Sequence, residues 1–265
     1  FMDRYGAYLD SVNYTNLTEN RYNKNLIYSI SEHGTQKFGV MRRDLTKITK
    51  RLYYGVEALK QGYAVYDSSQ NVALVNKSGK EITAFEFGKR AFRYNGDGTY
   101  TASKYVGNQL RKGMIDSLGN VLIPFKYRKI QAFKNDLAIV TLGYKQGIVN
   151  RRGAVQGEIK YDSMHHVGQK YLSVRLGNGY GVITRAGLEL VEPKYKGVSC
   201  FDTDFIHYRD GENVRWFVNG NTGEKFKAPY DLVYCFENSF SRVKMGDKFG
   251  MIDTEGNLVL PLKYT

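Results

Sequence analysis

Short apolar runs, separated by polar stretches that contain glycine, recur along the whole chain. Between residues 137 and 161 the apolar or alternating runs are "LAIVTL", "GIVN" and "AVQGEIKY", and "GYKQ" and "RRG" separate them. Runs of this kind indicate strands, and short connections that contain glycine indicate hairpin turns. The segment therefore predicts a meander of three antiparallel strands.

This segment is one copy of a unit that repeats through the chain. Each unit has an anchor position, usually glycine, in its middle strand, and successive anchors are 34, 40, 34, 34, 35 and 34 residues apart. The anchors are Gly39, Ala73, Gly113, Gly147, Gly181, Trp216 and Gly250. An aromatic residue, here called the marker, follows each anchor by 14 residues, and the markers are Tyr53, Phe87, Tyr127, Tyr161, Tyr195, Tyr230 and Tyr264. A fixed period of this length is the signature of a tandem repeat.

The middle strand of each unit is predicted to be central in its sheet. The two residues after every anchor are apolar, from Val40 and Met41 in the first unit to Met251 and Ile252 in the last. Because successive strand residues face opposite sides of a sheet, both faces of this strand should be buried. Glycine at the anchor indicates the close approach of another backbone or of an aromatic ring, and the marker tyrosine could supply that ring.

The prolines place the third strand of the unit at a sheet edge. All four prolines stand one to three residues before a marker, and proline cannot donate a hydrogen bond to a strand ladder. They are Pro124, Pro193, Pro229 and Pro261. The segments after Tyr127, Tyr161, Tyr195 and Tyr230 have apolar residues at their third and sixth positions, and we expect them to pack one unit on the next.

These patterns predict an all-β fold: a tandem array of about seven 34-residue, three-stranded antiparallel units, open or curved. A closed β-propeller is the alternative, although propeller blades usually have four strands and about 40 residues or more. Residues 1–25 are expected to form a degenerate N-terminal unit or cap, and residues 26–265 to form the array. The longest spacing predicts an insertion near residues 93–112, where the turn-forming sequence "RYNGDGTY" occurs.

The phrases "KGMIDSLGNVLIPFKY" and "FGMIDTEGNLVLPLKY" resemble the WG-repeat family of bacterial proteins, also called KWG repeats. The resemblance covers about residues 26–265. The family usually has tryptophan directly before the anchor glycine, and here this tryptophan position holds Phe38, Val72, Lys112, Gln146, Tyr180, Arg215 and Phe249. The resemblance implies a bacterial protein, often surface-exposed or in the envelope, without a defined activity or catalytic residues.

Composition narrows the possible partners. The chain has 265 residues, 42% of them hydrophobic, and a net charge of +13. This charge permits nucleic acid, an anionic cell surface or an acidic protein as partner, although no Lys/Arg run is long enough for a dedicated basic patch. No apolar run approaches the length of a membrane span. The chain begins at Phe1 without an initiator Met or signal peptide, so we expect a processed form or a fragment.

The sequence offers few candidates for catalysis or metal binding. His165 and His166 are adjacent, so on a strand they would point in opposite directions and not share a metal. Asp116 and Asp253 end middle strands before turns, where a carboxylate serves the backbone. Sequence motifs for zinc, phosphate or a nucleophilic serine are missing. We therefore expect no enzymatic activity, no metal and no cofactor; the remaining enzymatic hypothesis places a site in residues 93–112 or 1–25.

Four lysines are candidates for ligand binding. Each directly precedes a marker, and together they could form a basic column beside the aromatic one that binds phosphate or a glycan. They are Lys126, Lys160, Lys194 and Lys263. The alternative is that these lysines protect an edge strand from aggregation.

The two cysteines are predicted to be free thiols. Cys200 and Cys235 each follow a marker by five residues, so they hold equivalent places in adjacent units. Equivalent points of packed sheets should be about 10 Å apart, too far for a disulfide.

The sequence favours a non-catalytic interaction module of a bacterial envelope or secreted protein, which binds a protein partner through the repeat surface. Repeat arrays offer long surfaces that vary while the core repeats. A carbohydrate- or cell-wall-binding module is the alternative, since the chain has 22 tyrosines. A glycan or anionic surface remains possible as partner, and nucleic acid is disfavoured.

Overall fold

A computed structural model of the protein describes residues 14–88, 92–167, 169–199, 205–210 and 214–265. The fold is all-β, as predicted. The described strands form seven antiparallel sheets, each open and each built from strands that follow one another in the chain. One repeat thus corresponds to one sheet. The chain divides into two compact units, residues 1–130 and residues 131–265.

The first three sheets contain strands β1 to β11. The first sheet consists of β1 (Tyr14–Glu19), β2 (Leu26–Glu32) and β3 (Thr35–Met41). The second consists of β4 (Gly55–Leu59), β5 (Gly62–Tyr66), β6 (Asn71–Asn76) and β7 (Phe87–Gly88). The third consists of β8 (Arg93–Tyr94), β9 (Thr99–Val106), β10 (Gln109–Asp116) and β11 (Val121–Tyr127). Strand β1 therefore lies before the predicted array and pairs with β2, and the insertion near 93–112 supplies strands of the third sheet.

The last four sheets contain strands β12 to β27. The fourth sheet consists of β12 (Lys129–Ile130), β13 (Leu137–Leu142), β14 (Lys145–Asn150) and β15 (Val155–Tyr161). The fifth consists of β16 (Ser163–Val167), β17 (Tyr171–Leu176), β18 (Gly179–Thr184) and β19 (Glu189–Tyr195). The sixth consists of β20 (Gly197–Ser199), β21 (Phe205–Arg209), β22 (Arg215–Asn219) and β23 (Lys225–Ala228). The seventh consists of β24 (Leu232–Val233), β25 (Ser241–Met245), β26 (Lys248–Ile252) and β27 (Leu258–Tyr264).

Six of the seven sheets have one strand more than the predicted meander. The added strand is the first of its sheet, and in five of the six it begins two residues after a marker, in the segment that was expected only to pack units together. These strands are as short as two residues, and so short a run carries no periodicity that would distinguish a strand from a connection.

The middle strand of the predicted meander, third in the four-stranded sheets, is buried on both faces, as predicted. Of the fourteen apolar residues that follow the anchors, thirteen are buried. The exception is Met251 in the seventh sheet, which is half-buried.

Neighbouring sheets pack face to face around the markers. Tyr161 at the end of the fourth sheet lies in one apolar cluster with Ile148 of its own sheet and Leu172 of the fifth. Its hydroxyl donates a hydrogen bond of 2.7 Å to Glu189. Tyr53 donates the equivalent bond to Glu81 at 2.7 Å, and burial together with this carboxylate raises the pKa of Tyr53 to about 12.

The anchor glycine faces an irregularity in the fourth strand of its sheet. Tyr180 on β18 pairs with Tyr195 on β19, and Val182 pairs with Val191. Two residues on β18 therefore correspond to four residues on β19. Strand β19 thus has extra residues opposite Gly181, which makes a β-bulge. A Cβ atom at position 181 would lie 2.5 Å from the Val191 carbonyl oxygen, so the bulge requires glycine there.

The same register shift occurs beside Gly113 and Gly250, and a shift one residue larger occurs beside Gly147. In three of the four bulges the fourth strand carries its proline, and because this strand is the sheet edge, a missing N–H costs little. The prediction that the proline-bearing strand is an edge is confirmed. The nearest neighbours of these glycines are fourth-strand residues such as Phe125 and Leu260, so the expected contact with the marker tyrosine is wrong.

The repeat with Trp216 at the anchor has no bulge in its described strands. Residues 215–218 pair in unbroken register with residues 228–225. Without a bulge the fourth strand leaves room for a side chain, and the Trp216 indole N–H donates to Asp210 Oδ2 at 3.1 Å.

Candidate functional site

Three clefts lie along the last three sheets. Each opens beside the first and second strands of its sheet, and their volumes are about 250, 420 and 490 Å³ in chain order. The first cleft is lined by Ser163, His165, Ser173, Val174, Arg175 and Tyr180. The second is lined by residues 197–199, His207, Arg209, Arg215 and residues 232–235. The third is lined by Tyr234, Cys235, Glu237, Asn238, Phe240, Arg242 and Met251.

The strand register gives the last three sheets a common row of side chains, which lines the first and second clefts. A cation on the second strand stands opposite the tryptophan position on the third strand in each of the three sheets. The pairs are Arg175 with Tyr180, Arg209 with Arg215, and Lys244 with Phe249. The Arg175 guanidinium lies 6.0 Å from the Tyr180 ring centroid, and Lys244 Nζ lies 5.5 Å from that of Phe249. The strand register therefore keeps the tryptophan position opposite the cation in each sheet, while the side chain at this position differs from repeat to repeat.

The second cleft places two arginines directly opposite each other. Arg209 and Arg215 are cross-strand partners, and like charges in this position destabilise a sheet. Among the residues that the structure describes, neither arginine makes an ion pair with a carboxylate. Such a pair costs stability unless an anion lies between the two guanidinium groups.

His207 forms the inner wall of the second cleft. Its Nδ1 lies 3.0 Å from the Ser199 hydroxyl, and its ring stacks on Phe217 with centroids 5.1 Å apart. Burial, and then the charges of Arg215 and Arg209, lower the pKa of His207 to about 4. The imidazole is therefore neutral at neutral pH, so the positive charge of this cleft belongs to the arginines.

The third cleft combines a cation with aromatic and apolar surface. The Arg242 guanidinium stacks on Tyr234, 3.9 Å from the ring centroid, and lies 5.5 Å from the centroid of Phe249. Phe240 is exposed, and half-buried Met251 completes the lining. Arg, Tyr, Phe and Met are the residues enriched at the centres of protein interfaces.

The four predicted lysines lie elsewhere, on the edge strands β11, β15, β19 and β27. Each places Nζ 5.4–5.6 Å from the ring of the marker that follows it. Lys160 pairs with Glu189 at 3.1 Å and Glu158 at 3.3 Å, and Lys194 pairs with Glu192 at 2.7 Å. A binding role for Lys126, Lys160, Lys194 and Lys263 stays a prediction.

Cys235, between the second and third clefts, is disulfide-bonded. The chain's other cysteine, Cys200, lies outside the described residues. The prediction of a free thiol is therefore wrong for Cys235. It relied on the spacing of sheets packed face to face, whereas residues 197–199 and 232–235, from the first-strand regions of neighbouring sheets, share the wall of one cleft.

The two aspartate candidates bond to the backbone of their own turns. Asp116 Oδ1 accepts from the backbone N–H groups of Leu118 and Asn120, and Asp253 accepts two equivalent bonds, as expected for turns. His165 is exposed and His166 is half-buried on β16. Across the described part of the chain, no three His, Cys, Asp or Glu side chains are grouped to hold a metal. The search for a helix able to cross a bilayer found none in the same residues.

The fold and its clefts define a tandem β-sheet repeat protein with a variable surface on a constant frame. The family described as "WG containing repeat" matches residues 113–145, 221–249 and 249–265. These three regions therefore match WG-family repeats, as their sequence pattern indicated.

No curated protein matches the chain in sequence. Among solved structures, a eukaryotic initiation factor is similar at a TM-score of 0.35 and 10% identity, over 97% of this chain and 90% of that one. The C-terminal WD40 domain of Sif2 is similar at a TM-score of 0.31 and 9% identity, over 92% of this chain and 82% of that one. AztD from Citrobacter koseri is similar at a TM-score of 0.31 and 9% identity, over 94% of this chain and 86% of that one. Likeness at this level carries no argument about partner or activity.

The sequence contained a signal for the clefts that we did not use. Arg175, Arg209 and Lys244 each follow a marker by 14 residues. The anchor precedes its marker by the same number of residues. A search for cations at a fixed place in successive repeats would have found this row. The predicted lysines were chosen by the same logic at another position of the repeat.

Proposed function

We propose that this protein is a non-catalytic interaction module that binds an acidic segment of a protein partner in the three clefts. The observation that supports it most directly is the cross-strand pair of Arg209 and Arg215, which have no carboxylate partner in the described residues. The first and third clefts add the cations Arg175 and Arg242, and Lys244 lies in the same row of the seventh sheet. A row of cations of this kind attracts an anionic ligand and orients it.

The lining favours a polypeptide over other anions. Val198, Leu232 and Val233 give the second cleft aliphatic walls, and the third cleft offers Phe240 and Met251. Aliphatic walls next to arginine fit an extended chain whose side chains alternate between carboxylate and apolar groups. A glycan would use the tyrosine rings instead and would have little use for the unpaired charge.

We place the module in the envelope of a bacterium or outside the cell. The family resemblance supports this location, and so does the disulfide at Cys235, because disulfides persist in oxidising compartments. Cell fractionation followed by electrophoresis with and without reductant tests it. A protein found in the cytosol with its thiols reduced would contradict this part of the proposal.

The test of binding uses a fluorescein-labelled octapeptide of alternating Glu and Val, and the same peptide with Gln in place of Glu. We expect fluorescence anisotropy to detect the Glu peptide only. Arg209→Gln and Arg242→Gln should each weaken binding about tenfold or more, since a hydrogen bond to a charged group contributes about 1.5–3 kcal/mol. Lys248→Gln, which changes an exposed cation outside the clefts, is the matched control.

Two results would overturn the proposal. One is that the Glu and Gln peptides bind alike, or that the cleft variants bind the Glu peptide as well as the control does. The other is that the peptides fail while peptidoglycan fragments bind and Tyr180→Ala or Tyr234→Ala abolishes that binding. This second result would favour the carbohydrate- or cell-wall-binding module.

A further inference from the structure

The hairpin of β9 and β10 in the third sheet is longer than the equivalent hairpins of the other sheets. Its turn glycine, Gly107, stands six residues before the anchor Gly113, whereas Gly143, Gly177 and Gly246 stand four residues before theirs. Both strands have eight residues, and the hairpin strands of the other sheets have five to seven. Two additional residue pairs lengthen a hairpin by about 7 Å.

The additional length carries exposed apolar side chains. Tyr105 is 72% exposed, Leu110 opposite it is 51% exposed, and Val106 beside the turn is 49% exposed. Gly107 at the turn has no neighbouring atom within 4 Å of a Cβ position. The apolar groups therefore form the end of a projection and not the wall of a groove.

Cations surround the base of this tip. Arg111 and Lys112 follow Leu110 on β10, and Lys126 lies on the neighbouring strand β11, beside the residue that pairs with Lys112. In the part of the chain that the structure describes, these three make no ion pair. Residues 1–130 also carry +10 of the net charge of +13, from 21 Lys and Arg against 11 Asp and Glu.

We propose that the tip of the β9–β10 hairpin docks on an anionic lipid surface. Tyr105, Val106 and Leu110 enter the interface, where tyrosine is stable because its ring is apolar and its hydroxyl stays hydrated. Arg111, Lys112 and Lys126 face the lipid phosphates, and basic residues near such a surface add attraction. A projecting tip fits a fluid surface that yields to it, whereas a protein partner would need a preformed pocket.

The test is co-sedimentation with vesicles of phosphatidylcholine and phosphatidylserine, compared with vesicles of phosphatidylcholine alone. We expect binding to the mixed vesicles only. The double variant Tyr105→Ser, Leu110→Ser should lower the partition coefficient about tenfold or more, equivalent to about 1.4 kcal/mol. Arg111→Gln with Lys126→Gln should lower the partition coefficient at low salt, and the difference from the wild type should shrink as salt is added.

The next hairpin supplies a matched control. Tyr144 is 85% exposed at its turn, but the adjacent Lys145 is paired with Asp162 at 2.5 Å, so its charge is compensated. Tyr144→Ser should leave vesicle binding unchanged. The serine variants should keep the wild-type melting temperature, because Tyr105, Leu110 and Tyr144 are exposed.

Three results would overturn the inference: no binding to either vesicle, equal binding to both, or an equal loss with Tyr144→Ser. Normal vesicle binding by the Tyr105→Ser, Leu110→Ser variant would also overturn it and would favour a protein partner for the tip. The outcome is separate from that for the clefts, because Arg209→Gln should still bind vesicles normally.

Discussion

The bulge opposite the anchor glycine can be tested with the substitution Gly181→Ala. The new Cβ would lie 2.5 Å from the Val191 carbonyl oxygen, 2.7 Å from the Pro193 nitrogen and 2.8 Å from the Pro193 Cα. All three atoms are backbone, so no side-chain rotation relieves the contact. The fourth strand must shift, or its pairing with β18 must open.

The magnitude follows from two opposing effects. Overpacking of this kind costs about 1–3 kcal/mol. Replacing glycine by alanine also stiffens the unfolded chain, which stabilises the fold by about 0.4–1 kcal/mol. The net loss should be up to about 2.6 kcal/mol. At roughly 2–4 °C per kcal/mol for a chain of this size, the melting temperature should fall by up to about 10 °C.

Thermal unfolding followed by calorimetry is the assay, and Gly197→Ala is the control. Position 197 has no described atom within 4 Å of its Cβ position and no positive φ angle. There only the unfolded-state effect should act, so the melting temperature should stay the same or rise slightly. If Gly181→Ala melts at or above the temperature of Gly197→Ala, the steric explanation of the anchor glycine is wrong.

Two further predictions concern the second cleft. Folded His207 has a pKa of about 4, whereas an unfolded histidine has one of about 6.5. Between these pH values the unfolded state binds more protons than the folded state. The free energy of unfolding should therefore fall as the pH drops from about 6.5 to 4, by at most about 1.4 kcal/mol per pH unit. His207→Gln should reduce this slope in melting experiments, and an unchanged slope would contradict the assignment. Reducing the disulfide at Cys235 should cost about 2–4 kcal/mol, and a reductant that lowers the melting temperature of Cys235→Ser as much as that of the wild type would refute this.

Much of the fold could be predicted because the same pattern of apolar residues, glycine and proline recurs from repeat to repeat. The apolar pairs after the anchors specified a central strand, and the prolines specified an edge. The short first strands could not be predicted, since Leu232–Val233 is too brief to show a period. The bulge was missed for a different reason: the same glycine is explained equally well by a tyrosine ring or by a nearby backbone, and only the register of Tyr195 and Val191 distinguishes them.

The clefts were harder to predict because they depend on residues that do not repeat. A position occupied by the same residue in most repeats is explained by packing, as Gly181 is by the bulge. The tryptophan position is different: the strand register holds Tyr180, Arg215 and Phe249 at one place opposite a cation, and nothing in the packing requires any of the three. The sixth sheet departs most from the pattern, since Trp216 replaces the anchor glycine, the bulge is missing and two arginines face each other. A frame built from repeated residues can tolerate such departures at its surface, because each sheet contributes its own core. The residues that select a ligand should therefore be those at positions where one repeat differs from the others. In this chain these positions lie in the second cleft.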